Sequence, residues 1–262
     1  MPYSELDIIL HPEKYLPNIQ VDNVIFGYHE KELKVLLHQT IVTSKWTITG
    51  GYVGREESVE EAASRIAWSR TGLKNLFLQQ FRSFGAVNRS EDIEKNAGNL
   101  SKLAGIPVAK DLWIFHRFVS LAFYTLTEFS TVEIKKWALD ADCRWWPVNE
   151  LPPLMFDHKQ IITEALRALR MHIAFFPIGY ELLPEKFTIP QLQALYEGVY
   201  DTTFDDRNFS RKLLSTGLLV KLHEKDKFSS KKGAFYYKLD QSHYAENFTR
   251  FLNLVPNPDK FF

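Results

Sequence analysis

The sequence predicts an α+β protein built in two parts, and three observations carry that reading. β-rich runs and two amphipathic helical stretches fill the first part, residues 1–176. A break in composition follows at "FFPIGYELLPEKFT", where prolines and a glycine interrupt the pattern near Pro177–Pro184. Beyond it, residues 177–262 read as helix, turn, helix and then two strand-like runs. A chain of 262 residues is comfortable for two domains.

The elements follow in order. "QVDNVIFGYHEKELKVLLHQ", from Gln20 to Gln39, gives two β-rich runs around a polar centre, the pattern of a hairpin or of neighbouring strands. Trp46–Ile48 leads into Gly50 and Gly51. A helix is expected over Ser58–Arg70, where Val59, Ala62, Ala63 and Ile66 recur at helical spacing and Gly72 ends it. Strand-like runs follow at Leu76–Val87, Leu112–Thr127 and Cys143–Val148. The polar stretch Arg89–Lys110 between the first two reads as an insertion. Ile161, Ile162, Ala165, Leu166 and Leu169 predict a second amphipathic helix over Asp157–His172. After the break, Thr188 and Gln191 form a capping box with Pro190 in the first turn, predicting a helix to Tyr200. A second helix over Asp206–Ser215 stops at Gly217, and strands are expected at Leu218–His223 and Ala234–Leu239.

Composition narrows the function classes. Apolar residues make up 45% and charged residues 24%, ordinary for a globular protein. The net charge is zero, so nucleic-acid binding has to come from local asymmetry. The one cysteine, Cys143, excludes an internal disulfide and fits a half-buried strand position in a reducing compartment. "MPYSELDIILHPEKYLPNI" lacks the basic start of a signal peptide, and no run reaches the roughly 18 apolar residues of a membrane helix. A cytoplasmic protein without a membrane partner is expected. The histidines show no metal-ligand spacing, no phosphate-binding or nucleophile motif occurs, and no cofactor is expected. His158 reads as structural, at the start of its helix.

The asymmetry lies in the C-terminal part. Arg207, Arg211, Lys212, Lys221, Lys225, Lys227, Lys231, Lys232 and Lys238 face only Glu224 and Asp226 between positions 207 and 238. Helix, turn, helix and a two-stranded ribbon with a basic loop is the order of a winged helix-turn-helix, with double-stranded DNA as the expected partner. The same order also serves dimerisation and protein-binding modules. On the second helix Phe209, Leu213 and Leu214 are expected inside, with Arg207, Asn208, Ser210, Arg211 and Lys212 outside. Lys227, Ser230, Lys231 and Lys232 belong to the basic loop. Arginine and asparagine suit bidentate contacts with guanine and adenine, and the lysines suit phosphates.

"GGYVGREESVEEAASRIAWSRTGL", residues 50–73, resembles the Nudix box. Gly51, Glu57, Arg65, Gly72 and Leu73 match it, whereas three glutamate positions hold Ile66, Ser69 and Arg70, and an aliphatic position holds Ala67. Hydrolysis of a diphosphate in that family needs carboxylate-held metal to activate water. Isoleucine and serine offer no anionic ligand and Arg70 places a cation there, so the box is degenerate and binding is expected in place of catalysis. Glu57 and Arg65 are a candidate bracing ion pair. With "ELPPLMFDHKQII", "PIGYELLPEKFTIPQLQALYEGVY", "RNFSRKLL" and "SSKKGAFYYKL", the chain resembles the Nudix-related bacterial transcriptional regulators over nearly all of residues 18–240.

That resemblance implies an N-terminal Nudix-like α/β/α sandwich with a mixed sheet, a C-terminal winged helix, a homodimer, a DNA operator and a small-molecule effector. One branch senses ADP-ribose-type metabolites and controls NAD synthesis; another senses sugars such as L-arabinose. Loss of the box carboxylates and the C-terminal phrases favour the sugar branch, with NAD regulation or ADP-ribose hydrolysis as alternatives. Nudix-type pockets lie beside the box helix, which makes Asp22, Trp46, Phe84 and Asn88 the effector-binding candidates, through hydroxyl hydrogen bonds and ring stacking.

Overall fold

The computed structural model describes residues 7–29, 31–41, 43–74, 76–89, 101–102, 108, 112–137, 139–175, 185–226 and 233–240. The chain forms two compact units. The first comprises residues 1–27 and 33–168, the second residues 28–32 and 169–262.

In the first unit a short helix α1 (Asp7–Leu10) precedes the long strand β1 (Tyr15–His29), β2 (Glu32–Thr40), β3 (Trp46–Thr47) and β4 (Thr49–Gly54). Helix α2 (Val59–Thr71) follows, then β5 (Gln79–Phe84), β6 (Val119–Glu128), β7 (Asp140–Pro147) and helix α3 (His158–Phe175). The strands make one seven-stranded sheet in the order β3-β2-β1-β6-β5, with β4 paired to β1 and β7 to β2. β4 runs antiparallel to β1, setting Asp22 opposite Gly50 and Val21 opposite Gly51.

Helix α2 starts where its sequence provides a stop for the free N–H groups. Ser58 Oγ accepts the Glu61 N–H at 3.2 Å and the Glu61 carboxylate accepts the Ser58 N–H at 2.7 Å, a reciprocal capping box. It ends at Gly72, whose φ of 70° is costly for any residue with a Cβ. Its apolar face packs Ala62, Ala63 and Ile66 against Val21, Val53 and Phe123. Ala67 joins Ile25, Leu36 and Cys143 in a neighbouring cluster. Burial pushes the Cys143 thiol up to about 11, which leaves it protonated at neutral pH and structural in role.

The run Leu112–Thr127 divides, contrary to a continuous strand. Trp113–Phe115 form a 3-10 turn, and β6 begins at Val119. Ile114, Phe115 and Phe118 pack with Ile8 and Tyr15 in a separate cluster, so the apolar side chains are satisfied by packing without sheet pairing. Of the insertion, only Arg89, Ser101, Lys102 and Val108 lie within the described residues.

The second unit holds the C-terminal half of α3, β8 (Phe187–Thr188), α4 (Ile189–Tyr200), α5 (Asp206–Ser215), β9 (Leu219–Asp226) and β10 (Ala234–Leu239). Its strands form a three-stranded antiparallel sheet ordered β8-β10-β9. The Thr188–Gln191 capping box forms as the spacing predicts. The expected junction at Pro177–Pro184 lies outside the described residues. The division at Ala168 falls inside α3 because the residues after it bind α4: Arg170 Nε donates to the Val199 carbonyl at 2.8 Å, and the Tyr200 hydroxyl to the Arg170 carbonyl at 2.6 Å.

Candidate effector site and nucleic-acid interface

The box keeps its brace. Arg65 donates from Nε to Glu57 Oε2 at 2.8 Å, and from Nη2 to Oε1 at 2.5 Å and to the Tyr52 carbonyl at 3.0 Å. The Gly54 N–H reaches Glu57 Oε1 at 2.7 Å. Burial works to raise the Glu57 carboxyl, but Arg65 and the Gly54 N–H hold it below its ordinary value.

The three altered positions do something other than ligate metal. Ile66 is fully buried in the core against Val21 and Phe123. The Ser69 hydroxyl donates to the Ile66 carbonyl at 2.7 Å. Arg70, also fully buried, ion-pairs with Asp140, donates to the Lys135 carbonyl at 3.1 Å and stacks 3.7 Å from the Trp137 ring centroid. Asp140 in turn bonds the His38 Nδ1 at 2.8 Å and accepts the Trp137 N–H at 2.7 Å. Burial works to raise the Asp140 carboxyl, and His38, Arg70 and the Trp137 N–H overcome it. Glu61 is committed to the helix cap. These residues do not fit a divalent cation: the carboxylate positions hold a core aliphatic, a hydroxyl bonded to its own helix, and a paired guanidinium.

A second buried polar cluster surrounds Asp22 on β1. Its Oδ2 accepts the Ser120 hydroxyl and lies 3.5 Å from Arg89 Nη2. Arg89 also donates to the Phe84 carbonyl and to Asp157 Oδ1, each at 2.9 Å, and its guanidinium lies 4.5 Å from the Phe118 ring centroid. His158 Nδ1 lies 3.0 Å from the Thr47 hydroxyl and accepts the Ile48 N–H at 3.4 Å, so the neutral ring carries its proton on Nε2. Burial holds the His158 pKa below its ordinary value. Among the described residues, Asp22 Oδ1, Arg89 Nε and His158 Nε2 are buried without a hydrogen-bond partner. One acceptor and two donors are therefore free in one buried neighbourhood, the complement of a hydroxyl-bearing ligand. Gly50 makes room for the Asp22 side chain, since a Cβ there would lie 2.6 Å from Asp22 Oδ1.

The four effector candidates are dispersed. Asp22 and Phe84 meet through Arg89, as above. Trp46 is buried on β3, with its ring edge-on to Trp146 at 5.1 Å. β3 and β5, which carry Trp46 and Phe84, stand at opposite ends of the main strand order. Asn88 is exposed in a turn. A cavity of about 300 Å³ beside α2 is lined by Trp68, Arg65, Lys74 and leucines, and by none of the four. Sequence reading missed Arg89, Ser120 and Asp157. His158 is structural in its bonds to Thr47 and Ile48, as read, yet it contributes one of the free donors.

In the second unit the Asp205 side chain caps α5 by accepting the Asn208 N–H at 2.8 Å. Phe209 packs against Tyr196 and Phe204, and Leu213 is buried, whereas Leu214 is 44% exposed and does not pack inward as expected. Ten residues of helix turn their apolar stripe on Phe209 and Leu213, a spacing of four that leaves position 214 facing away. Arg207, Asn208, Arg211 and Lys212 are exposed and Ser210 half-buried. Arg211 Nη2 donates to Asn208 Oδ1 at 2.6 Å, which pre-orients both ends on one face. On the ribbon, Lys221 and Lys225 lie 3.6 and 4.5 Å from the Phe235 ring centroid. Lys227, Ser230, Lys231 and Lys232 lie outside the described residues. Among the described residues no group of acidic, histidine or cysteine side chains is placed to hold a metal, and no helix is long and apolar enough to cross a membrane.

Residues 179–239 match the model of the NrtR DNA-binding winged helix domain. A protein of Acinetobacter baylyi, the ADPR responsive transcriptional repressor NtrR, is 24% identical over 243 residues, covering 90% of this chain and 87% of that protein. The structure of Shewanella oneidensis NrtR complexed with a 27mer DNA superposes with a TM-score of 0.64 at 25% identity, covering 85% of this chain and 93% of that one. A MutT/nudix family protein from Enterococcus faecalis shares the fold with a TM-score of 0.62 at 20% identity, covering 86% and 87%. The chain thus joins an NrtR-like winged helix to a Nudix-like fold, the two parts of the Nudix-related transcriptional regulators.

Proposed function

We propose that this protein is a DNA-binding transcriptional regulator whose Nudix-like domain senses an ADP-ribose-type effector without hydrolysing it. The observation that carries the reading is the winged-helix match over residues 179–239, joined to the exposed Arg207, Asn208, Arg211 and Lys212 on α5. The ADP-ribose class rests on the Acinetobacter relative, described as ADPR responsive. The sugar-responsive expectation and its link to carbohydrate metabolism find no support among the relatives, and the ADP-ribose alternative fits better. Absence of hydrolysis rests on Ile66, Ser69 and Arg70, each committed elsewhere. Residues 1–176 act as the sensor and 177–262 as the DNA-binding domain, in a cytoplasmic homodimer on a duplex operator.

The ribose hydroxyls are assigned to Asp22 Oδ1, Arg89 Nε and His158 Nε2, whose free acceptor and donors suit them. Phe84 is tied to them through the Arg89 bond to its carbonyl, whereas Trp46 and Asn88 are left out of the assignment. Effector control requires different affinities in the free and DNA-bound states, about 5.5 kcal/mol for a reversal from 1:99 to 99:1. The test is duplex binding across a salt series with and without ADP-ribose, with product assayed in the presence of magnesium. Salt-steep binding that ADP-ribose shifts, with no turnover, supports the reading. Salt-insensitive binding, or ADP-ribose consumed, refutes it.

A further inference from the structure

Five residues distant in sequence from α5 belong to the same compact unit as α5. They are residues 28–32, which run from the end of β1 to the start of β2. Lys31 sits there with a φ of 69°, a left-handed conformation that a lysine adopts at a cost. Its N–H reaches the Tyr28 hydroxyl at 3.3 Å. The turn meets α4 at Gly198, where a Cβ would lie 2.8 Å from Tyr28 Cε2 and 2.9 Å from the Lys31 carbonyl oxygen. The approach is thus backbone to backbone.

From this turn a continuous polar chain runs to the start of α5. Lys31 Nζ lies 2.9 Å from Glu197 Oε2, with the glutamate side chain 9% exposed. Glu197 Oε1 accepts the Phe204 N–H at 3.0 Å and Gln193 Nε2 at 3.1 Å. The same Gln193 amide donates to the Phe204 carbonyl at 3.1 Å and to Asp206 Oδ1 at 2.9 Å. Asp206 is the first residue of α5, and Arg207 and Asn208 follow it. Lys31 holds Glu197 charged, helped by Phe204 and Gln193, and its carboxyl is held down at about 2. A buried carboxylate bonded in this way ties the last part of the 201–205 turn and the first residue of α5 to α4, and with them the direction in which α5 leaves.

We propose that Lys31 is a positioning residue for DNA recognition: it sets the pose of α5 through Glu197 and touches no DNA. The inference rests on the DNA-binding reading. Its consequence differs from that of a phosphate contact. A residue that neutralises a phosphate lowers affinity and also flattens the salt dependence by about 0.9 in the log–log slope. A residue that aims the helix lowers affinity for a preferred sequence while the slope stays unchanged.

The experiment uses the full chain and a duplex enriched on the wild-type protein from a random-sequence pool. Lys31→Ala, Lys31→Arg, Glu197→Gln and Arg207→Ala are titrated over a salt series, against both the enriched duplex and the unselected pool, with thermal melts alongside. The expected result for Lys31→Ala is a loss of about tenfold on the enriched duplex, the size of one charge-assisted bond with a partly exposed partner. Binding to the unselected pool and the salt slope stay at wild-type values, Lys31→Arg restores the loss, and Arg207→Ala flattens the slope. Glu197→Gln, which leaves Lys31 in place, gives the same selective loss and carries the test should Lys31→Ala melt early. Wild-type affinity in both Lys31→Ala and Glu197→Gln overturns the proposal, as does a slope flattened by Lys31→Ala. Failure of the wild type to bind any duplex overturns the DNA-binding reading instead.

Discussion

Restoring a glutamate at position 70 is expected to damage the protein where a box motif alone predicts a gain. Arg70 is fully buried and its guanidinium is enclosed by Asp140, the Lys135 carbonyl and the Trp137 ring. Removing one partner of a buried pair costs about 3–5 kcal/mol, because the other charge stays behind without compensation. Arg70→Glu adds a second carboxylate beside Asp140, and two such groups cannot both ionise in one site, so one must take a proton. Against a typical total stability of about 5–15 kcal/mol, this removes about a fifth or more of what holds the first unit together. Urea unfolding at neutral pH reads it directly, with Arg70→Met as the uncharged control. Combining Arg70→Met with Asp140→Asn removes the orphaned charge and keeps an acceptor for the Trp137 N–H, so at least half of the loss returns. An unchanged midpoint in Arg70→Glu refutes the argument. So does magnesium-dependent turnover of ADP-ribose in that variant or with Ile66→Glu and Ser69→Glu added.

Further outcomes follow from named contacts. Gly50→Ala drives a methyl against Asp22 Oδ1, so it costs about 1–3 kcal/mol in thermal or chemical unfolding and abolishes ADP-ribose heat in calorimetry. Glu57→Gln turns an amide towards Arg65 Nε and loses about 1.5–3 kcal/mol in urea, with DNA affinity unchanged. His158 is held neutral by burial, its pKa lowered from 6.5, so the stability it contributes is present above that value and lost as pH falls below it. Unfolding free energy therefore declines between pH 6.5 and 5 by at most about 1.4 kcal/mol per pH unit for this group, and His158→Gln reduces the decline. Arg207→Ala and Arg211→Ala each flatten the salt dependence of duplex binding by about 0.9 in slope.

Much of the secondary structure is legible because it is encoded locally. The helices at Asp206–Ser215 and from Ile189 to Tyr200 lie where caps and periodicity put them, and Gly72 ends α2 with the conformation its lack of a Cβ permits. The strand Ala234–Leu239 is likewise read from its own residues. Leu112–Thr127 failed because an apolar run does not say whether its partners lie on a neighbouring strand or in a packed cluster. The polar networks were illegible for a related reason. Arg70 and Asp140 lie 70 residues apart, Arg89 and Asp157 lie 68 apart, and no periodicity links either pair. The altered box showed which chemistry was lost. It could not show that Arg70 had been taken into the core, or that Arg89, at the head of an insertion, closes on Asp22.

The most direct test of the central claim is calorimetric titration of ADP-ribose into the free protein and into its complex with the enriched duplex, each with a chelator present. Binding and DNA release are linked, so the ratio of the two ADP-ribose affinities has to equal the ratio of duplex affinities with and without the effector. Metal-independent binding, intact ADP-ribose afterwards and two unequal affinities obeying that equality are expected. Equal affinities in the two states, binding that vanishes with the chelator, or recovery of hydrolysed product would contradict the claim.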